Sequence, residues 1–277
     1  MSRNISEITE LCRSKALALI AAYNEEENIA QTIDEVSLYV SEIIVVDDGS
    51  RDHTESIARA KQVKVIRHKK NQGKGKALRT GMKAAIKMDT EWIITIDADL
   101  QHDPAEIPRL VHTMLKTQAD CVIGNRQHDP LASKTMNFSR RFANMVTSGY
   151  FRQVFGVKVS DLQCGYRCYS VELVRNVLPC LKKNHFDLET EILIESWIQQ
   201  YTIVECPVRM VYSQEIVKKS HMRPLLDTYR WFMAVLERLT EKRTFQRPWP
   251  DESIRFSKLI ILFEVFWVFL FLLAIFL

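Results

Sequence analysis

Two aspartates, Asp97 and Asp99, end an apolar run in Ile94-Thr95-Ile96-Asp97-Ala98-Asp99-Leu100-Gln101. Carboxylates two residues apart at a strand end can converge on one face if the strand relaxes there. Two so close raise each other's pKa unless a cation joins them. Mg²⁺ or Mn²⁺ held by one or two carboxylates, with diphosphate oxygens completing the shell, is the usual arrangement. The plainer role for Asp99 or Asp103 is to cap the helix that follows. Other polar clusters fit the same chemistry. Asp47 and Asp48 can accept hydrogen bonds from a nucleobase or ribose, Gly49 lets the backbone turn, and Ser50 or Asp52 can cap the next helix. Gly73-Lys74-Gly75 puts pliable backbone and a cation near a helix N-terminus, which suits phosphate, though the spacing is not that of a Walker A loop. Asp187, Glu189 and Glu191 can supply a general base for a hydroxyl acceptor or cap a helix.

The surrounding pattern places these residues. Short apolar runs predict strands at 16–22, 43–47, 63–67, 92–97 and 121–124, separated by helical periodicity at 26–39, 54–61, 74–87 and 104–117. Such alternation predicts an α/β fold with a mostly parallel sheet and helices on both faces. Ligands of these sheets bind at the carboxyl ends of the strands. Tyr23-Asn24-Glu25-Glu26, Asp47–Ser50, Asn71–Gly75, Asp97-Ala98-Asp99 and Gly124-Asn125-Arg126 each follow a strand, so five clusters are expected on one sheet edge.

The second half is less regular, with helices expected at 134–155, 171–182 and 189–200 and strands at 165–169, 202–205 and 208–212. Residues 225–239 form a basic amphipathic stretch suited either to a bilayer surface or to packing on the domain. Residues 259–277 are apolar except for Glu264, long enough for one transmembrane helix, and Arg255 and Lys258 before it place the main domain in the cytoplasm. The expected division is a catalytic domain over 1–245, with a possible interfacial helix at 223–240, and a linker and transmembrane segment over 246–277.

The chain of 277 residues carries a net charge of +4, too small to argue for nucleic acid, and its basic residues crowd 218–247, as in a juxtamembrane segment. Its six cysteines form no CxxC pair or zinc spacing and read as reduced thiols.

Taken together, Ala22-Tyr23-Asn24-Glu25, Val46-Asp47-Asp48-Gly49-Ser50, Asn71-x-Gly73-Lys74-Gly75, Asp97-Ala98-Asp99-Leu100-Gln101, Gly124-Asn125-Arg126 and Gln163-Cys164-Gly165-Tyr166-Arg167 resemble the family 2 glycosyltransferases of the GT-A fold. Within these, the resemblance is to the dolichol-phosphate mannose synthase and polyprenyl-phosphate glycosyltransferase group, and it covers about 16–239. It implies a Rossmann-like GT-A sheet and inverting, metal-dependent transfer of a sugar from a GDP- or UDP-linked donor to a polyprenyl phosphate. Tyr23, Glu25 and Asp48 would hold the nucleoside, with Asn24, Asp47, Gly73, Lys74 and Ala98 completing the donor side. Asp97, Asp99 and Gln101 would hold Mg²⁺ or Mn²⁺. Arg126 would meet the acceptor phosphate, with Lys134, Ser139 and Arg140 nearby; Thr135 stands where the group usually has an arginine. Near the end, where the group often has Gly-Ser-Lys, this chain has Lys218-Lys219-Ser220-His221, so Lys219 or His221 would serve there. A hydroxyl acceptor, as in glycolipid or polysaccharide synthesis, is the alternative.

Overall fold

The computed structural model describes residues 4–129, 138–185 and 187–211, together with 230, 232–235 and 237. Its strands are β1 (Ala16–Ala22), β2 (Glu42–Asp47), β3 (Lys64–Arg67), β4 (Trp92–Asp97), β5 (Cys121–Asn125), β6 (Arg167–Ser170) and β7 (Ile203–Pro207). They form one sheet in the order β3-β2-β1-β4-β6-β5-β7. β1 pairs parallel with β2 and β4, β2 with β3, and β5 with β7. β6 runs antiparallel between β4 and β5, with Thr95 opposite Arg167 and Ile123 opposite Arg167 on its other side. Leu17 to Ile20, Ile44 to Val46, Ile93, Ile94, Val122 and Ile123 are all buried. Unbroken apolar runs of this kind are what a sheet covered on both faces requires.

The helices are α1 (Ile5–Lys15), α2 (Ile29–Ser37), α3 (Thr54–Ala60), α4 (Lys74–Ala85), α5 (Ile107–Thr117), α6 (Phe138–Phe155), α7 (Val171–Val177) and α8 (Asp187–Ile198). Helix α1 does not announce itself in the sequence. Ile8 and Cys12, one turn apart, are buried and Leu11 packs beside them, while Ile5 is exposed and the rest of the segment is polar. It lies against α5, and the Arg13 guanidinium reaches the Leu38 carbonyl at 2.9 Å. The strand expected at 165–169 begins instead at Arg167 and runs against its neighbours. The one expected at 208–212 makes a single bridge, Met210 with His102, and Tyr212 lies outside the described residues.

Phe232, Ala234 and Val235 are buried, and the Phe232 ring stands 5.9 Å from that of Tyr150, so these residues of the 225–239 stretch face the domain. Lys183 Nζ pairs with Glu237 at 2.5 Å. Among the described residues no helix is long and apolar enough to cross a membrane. The linker and apolar segment of 246–277 lie outside them.

Because β1 to β5 and β7 share one direction, the five polar clusters meet along one edge. The reversed β6 starts at that same edge and so delivers Gly165 and Tyr166 to it.

Candidate active site

On the β1 and β2 side, two loops are stitched into a platform. Asn24 adopts a left-handed φ of 55°, which Asn tolerates better than most residues. Its N–H donates to Ser50 Oγ (2.9 Å), and its Oδ1 accepts from Arg51 N (2.9 Å). Glu25 N donates to Thr54 Oγ1 (2.8 Å), Glu26 N to Asp52 Oδ2 (3.2 Å), and His53 N to Glu26 Oε2 (2.9 Å). Tyr23 is half-buried beside them. Asp47 is buried; its Oδ1 accepts from the Ser50 amide and hydroxyl, and its Oδ2 lies 3.6 Å from Arg67 Nε.

Asp48, expected to meet the nucleoside, also holds the loop before α4. Its carboxylate accepts from Gly73 N (2.7 Å) and Gln72 N (3.0 Å), and it meets His68 Nδ1 at 2.6 Å; His68 Nε2 in turn meets Thr80 Oγ1 at 2.9 Å. Asp48 therefore shapes the loop leading into α4. The first turn of α4 is covered as well: Lys76 N donates to Asn184 O at 2.9 Å, and a side chain on Gly75 would strike the His185 carbonyl. In this structure Gly73 and Gly75 let protein backbone approach where the sequence pattern suggested a phosphate cradle. Lys74 is what that segment sends into the site.

The Lys74 ammonium stands 2.6 Å from Asp97 Oδ1 and 3.6 Å from Glu189 Oε1. Burial opposes charge on Asp97, but Lys74 and the other positive groups around it, Arg126 among them, together hold the carboxyl below its ordinary range. Asp99 goes the other way, pushed up to about 7 by burial and then by the charge of Asp97. Leu100, at a left-handed φ of 58°, turns the chain so that Gln101 N donates to Asp99 Oδ1 at 3.1 Å. This turn relaxes the strand end and lets the two carboxylates share a site. The Ala98 carbonyl accepts from Thr32 Oγ1 at 3.2 Å, which anchors the turn to α2.

Among the described residues no group of three His, Cys, Asp or Glu side chains is arranged to hold a metal ion. The fit is to a hard cation completed by ligand oxygens. Asp99 is a half-buried acid that burial and the neighbouring Asp97 push up to about 7, and a cation beside it would favour its ionised form.

Two further residues belong to this centre. His102 is buried; its Nε2 lies 3.9 Å from Asp97 Oδ2, and burial pushes it down to about 4, so it is neutral at pH 7. Glu189 is buried, and its Oε1 has no hydrogen-bond partner among the described residues. Of the other two acids considered with it, Asp187 accepts from His185 N (3.1 Å) and Glu191 from the amides of Lys182 and Lys183 (2.8 and 2.9 Å). Those two order the turn before α8.

Arg126 follows β5 and is held by Asp161. Its Nε donates to Oδ2 at 2.7 Å, its Nη2 to Oδ1 at 2.8 Å, and its backbone N to Oδ2 at 3.0 Å. No local spacing points to Asp161, because 35 residues separate it from Arg126. Ser139 and Arg140 fall in α6 but their side chains lie outside the description, as do Lys134 and 218–221. Arg167 is fully buried and donates to the carbonyls of Leu162 (2.7 Å), Cys164 (2.7 Å) and Glu189 (2.9 Å). Thr95 Oγ1 donates to the Gly165 carbonyl at 2.8 Å. These bonds set the 162–165 loop against Lys74 and Asp97.

The model of the family described as Glycosyl transferase family 2 matches residues 18–178. The UDP-N-acetylglucosamine–dolichyl-phosphate N-acetylglucosaminyltransferase of Methanococcus voltae is 28% identical over 71% of this chain and 85% of its own. The undecaprenyl-phosphate mannosyltransferase of Micrococcus luteus is 28% identical over 71% and 84%. The crystal structure of glucosyl-3-phosphoglycerate synthase from Mycobacterium tuberculosis with Mn²⁺, uridine diphosphate and phosphoglyceric acid superposes with a TM-score of 0.65 at 22% identity. It covers 85% of this chain and 82% of that one, so the α/β fold is shared and GT-A-like.

Proposed function

Because the chain belongs to glycosyl transferase family 2 and is a glycosyltransferase, we propose that it moves a sugar from a nucleoside-diphosphate sugar to a polyprenyl phosphate, with inversion. The observation that carries this reading is the arrangement at the sheet edge. A half-buried acidic pair with Lys74 lies after β4, and a half-buried arginine held by Asp161 follows β5, so a departing diphosphate and an incoming phosphate each meet a built site. The named acceptors of the two relatives are polyprenyl or dolichyl phosphates, which supports the choice of acceptor.

Asp97, Asp99 and Gln101 would hold Mg²⁺ or Mn²⁺; bound there with the donor, the ion would neutralise the diphosphate and ease its departure. The crystal structure with Mn²⁺ and uridine diphosphate supports metal use. Lys74 is close enough to Asp97 to add a second positive charge to the leaving group. The platform of 23–26 and 47–52 takes the nucleoside, with Asn24 and Arg51 exposed on it and Tyr23 and Glu25 half-buried. Arg126 orients the acceptor phosphate. A phosphate monoester is largely dianionic at neutral pH, so one of its oxygens attacks the anomeric carbon directly. The bond from that carbon to the donor diphosphate breaks, and the nucleoside diphosphate leaves with the electron pair. No general base is required. For a hydroxyl acceptor, Glu189 is the buried carboxylate in reach of the site. The apolar segment of 259–277 would anchor the catalytic domain on the cytoplasmic face of a membrane.

The test is a panel of GDP- and UDP-linked sugars offered with polyprenyl phosphate in membranes, with Mg²⁺, with Mn²⁺ and with a chelator. Transfer to the lipid phosphate, lost with the chelator and restored by either metal, is expected. Transfer only to hydroxyl-bearing lipids rejects the acceptor, and full turnover in chelator rejects the metal.

A further inference from the structure

We propose that Asp161 is the positioning residue of the acceptor side, fixing the Arg126 guanidinium in the orientation that receives the acceptor's phosphate. The inference rests on the lipid-phosphate reading above and adds a residue to it. Three donors of Arg126 converge on the one carboxylate, at 2.7, 2.8 and 3.0 Å, and the Asp161 side chain is fully buried. A guanidinium is a planar fork of five N–H groups, so binding Nε and Nη2 to a carboxylate fixes the plane and direction of the whole group.

Asp161 is itself immobilised from two elements, β7 and α6. Glu205 of β7 accepts from the amides of Ser160 (2.5 Å) and Asp161 (2.8 Å), and its other oxygen accepts from Asn125 of β5 (3.0 Å). Asn144 of α6 donates to Asp161 Oδ1 at 2.9 Å. Ser148, one turn further along α6, accepts from Leu162 N at 3.0 Å. At its other end the same loop is gripped by Arg167 and reaches Gly165, beside Lys74 and Asp97. Residues 160–165 therefore form a strap tied to Arg126 at one end and to the acidic centre at the other. The strap sets the separation between the incoming phosphate and the leaving group, and a near-attack geometry depends on that distance.

There is also a consequence for charge. With Asp161 beside it, Arg126 presents hydrogen-bond geometry from a pair whose charges cancel, so the acceptor is directed more by the fork than by net attraction. A charge-only role would make Asp161 a hindrance, and its removal would tighten acceptor binding.

The experiment compares wild type with Asp161→Asn, which keeps the size and removes the charge. Stripping one partner from a buried ion pair destabilises a fold, so the milder Asn144→Ala is run in parallel, with thermal melting to confirm folding. The expected result is a KM for polyprenyl phosphate raised about tenfold or more in Asp161→Asn and about threefold in Asn144→Ala, while the nucleotide-sugar KM stays within about twofold. A general structural role would instead move both KM values together, and that result overturns the proposal. An unchanged or lowered lipid KM in either folded variant also overturns it. These outcomes differ from failure of the underlying reading, which shows as no transfer to polyprenyl phosphate by the wild-type protein.

Discussion

An ideal Cβ on Gly165 would stand 2.8 Å from Lys74 Nζ, 3.0 Å from Asp97 Oδ2 and 3.2 Å from Glu189 Oε1. All three neighbours are ends of side chains, so a methyl group there displaces the site and spares the backbone. Gly165→Ala is accordingly expected to lower kcat about a hundredfold, since small misplacements of positioned groups cost that much. Its melting midpoint should fall by only a few degrees, about 1 kcal/mol for a domain of this size. Steady-state kinetics beside a thermal melt decide it, and a variant with full kcat shows that the Lys74–Asp97 contact has no part in turnover. The sequence made Asp97 and Asp99 visible because they sit where an apolar run ends, and Lys74 because glycines flank it. It did not reveal the partners. Asp161 and Glu205 reach Arg126 and the 160–161 amides from 35 and more residues away, and no local spacing records a contact of that length.

Among the elements, α4 and the segment before α8 fit closely. Lys76 N donates to Asn184 O, and a Cβ on Gly75 would lie 2.7 Å from the Asn184 carbonyl carbon and nearer still to His185 O. These neighbours are backbone and cannot swing away. Gly75→Ala is expected to cost about 1–3 kcal/mol, the usual penalty of overpacking, and to lower the urea midpoint with the m-value unchanged. A midpoint equal to wild type means that 184–185 does not rest on α4 in solution. The same scale shows where sequence reading works. β1, β2 and β4 are legible because strands buried on both faces are continuous apolar runs with polar residues at their ends. Helix α1 is less so, because its apolar residues Ile5, Ile8, Leu11 and Cys12 are spread through a charged segment and Ile5 is exposed. The reversal of β6 is not legible either. A four-residue strand has the same pattern in both directions, and its placement between β4 and β5 comes from pairing on both edges.

At the scale of the whole molecule, five of the six cysteines are buried thiols spread across the fold: Cys12 on α1, Cys121 on β5, Cys164 in the 160–165 strap, Cys168 on β6 and Cys206 on β7. Cys180 alone is partly exposed. Burial pushes Cys12, Cys121 and Cys164 up to about 12. The reactive species is the thiolate, so at pH 8 only about one in ten thousand of these thiols would be reactive even if reagent reached it. Raising the pH to 9 multiplies that fraction about tenfold and still leaves it small. A thiol reagent on the native protein should therefore modify Cys180 alone, and all six cysteines after unfolding, counted by intact mass and located by peptide mapping. The pattern of exceptions is informative because each thiol reports a different element. Modification of Cys12 without the others means that α1 opens locally, and modification of Cys206 means that the β7 edge does. Early modification of Cys164 would be the most consequential, since it lies between Asp161 and Gly165. A strap that opens faster than the fold cannot hold the two halves of the site at one distance.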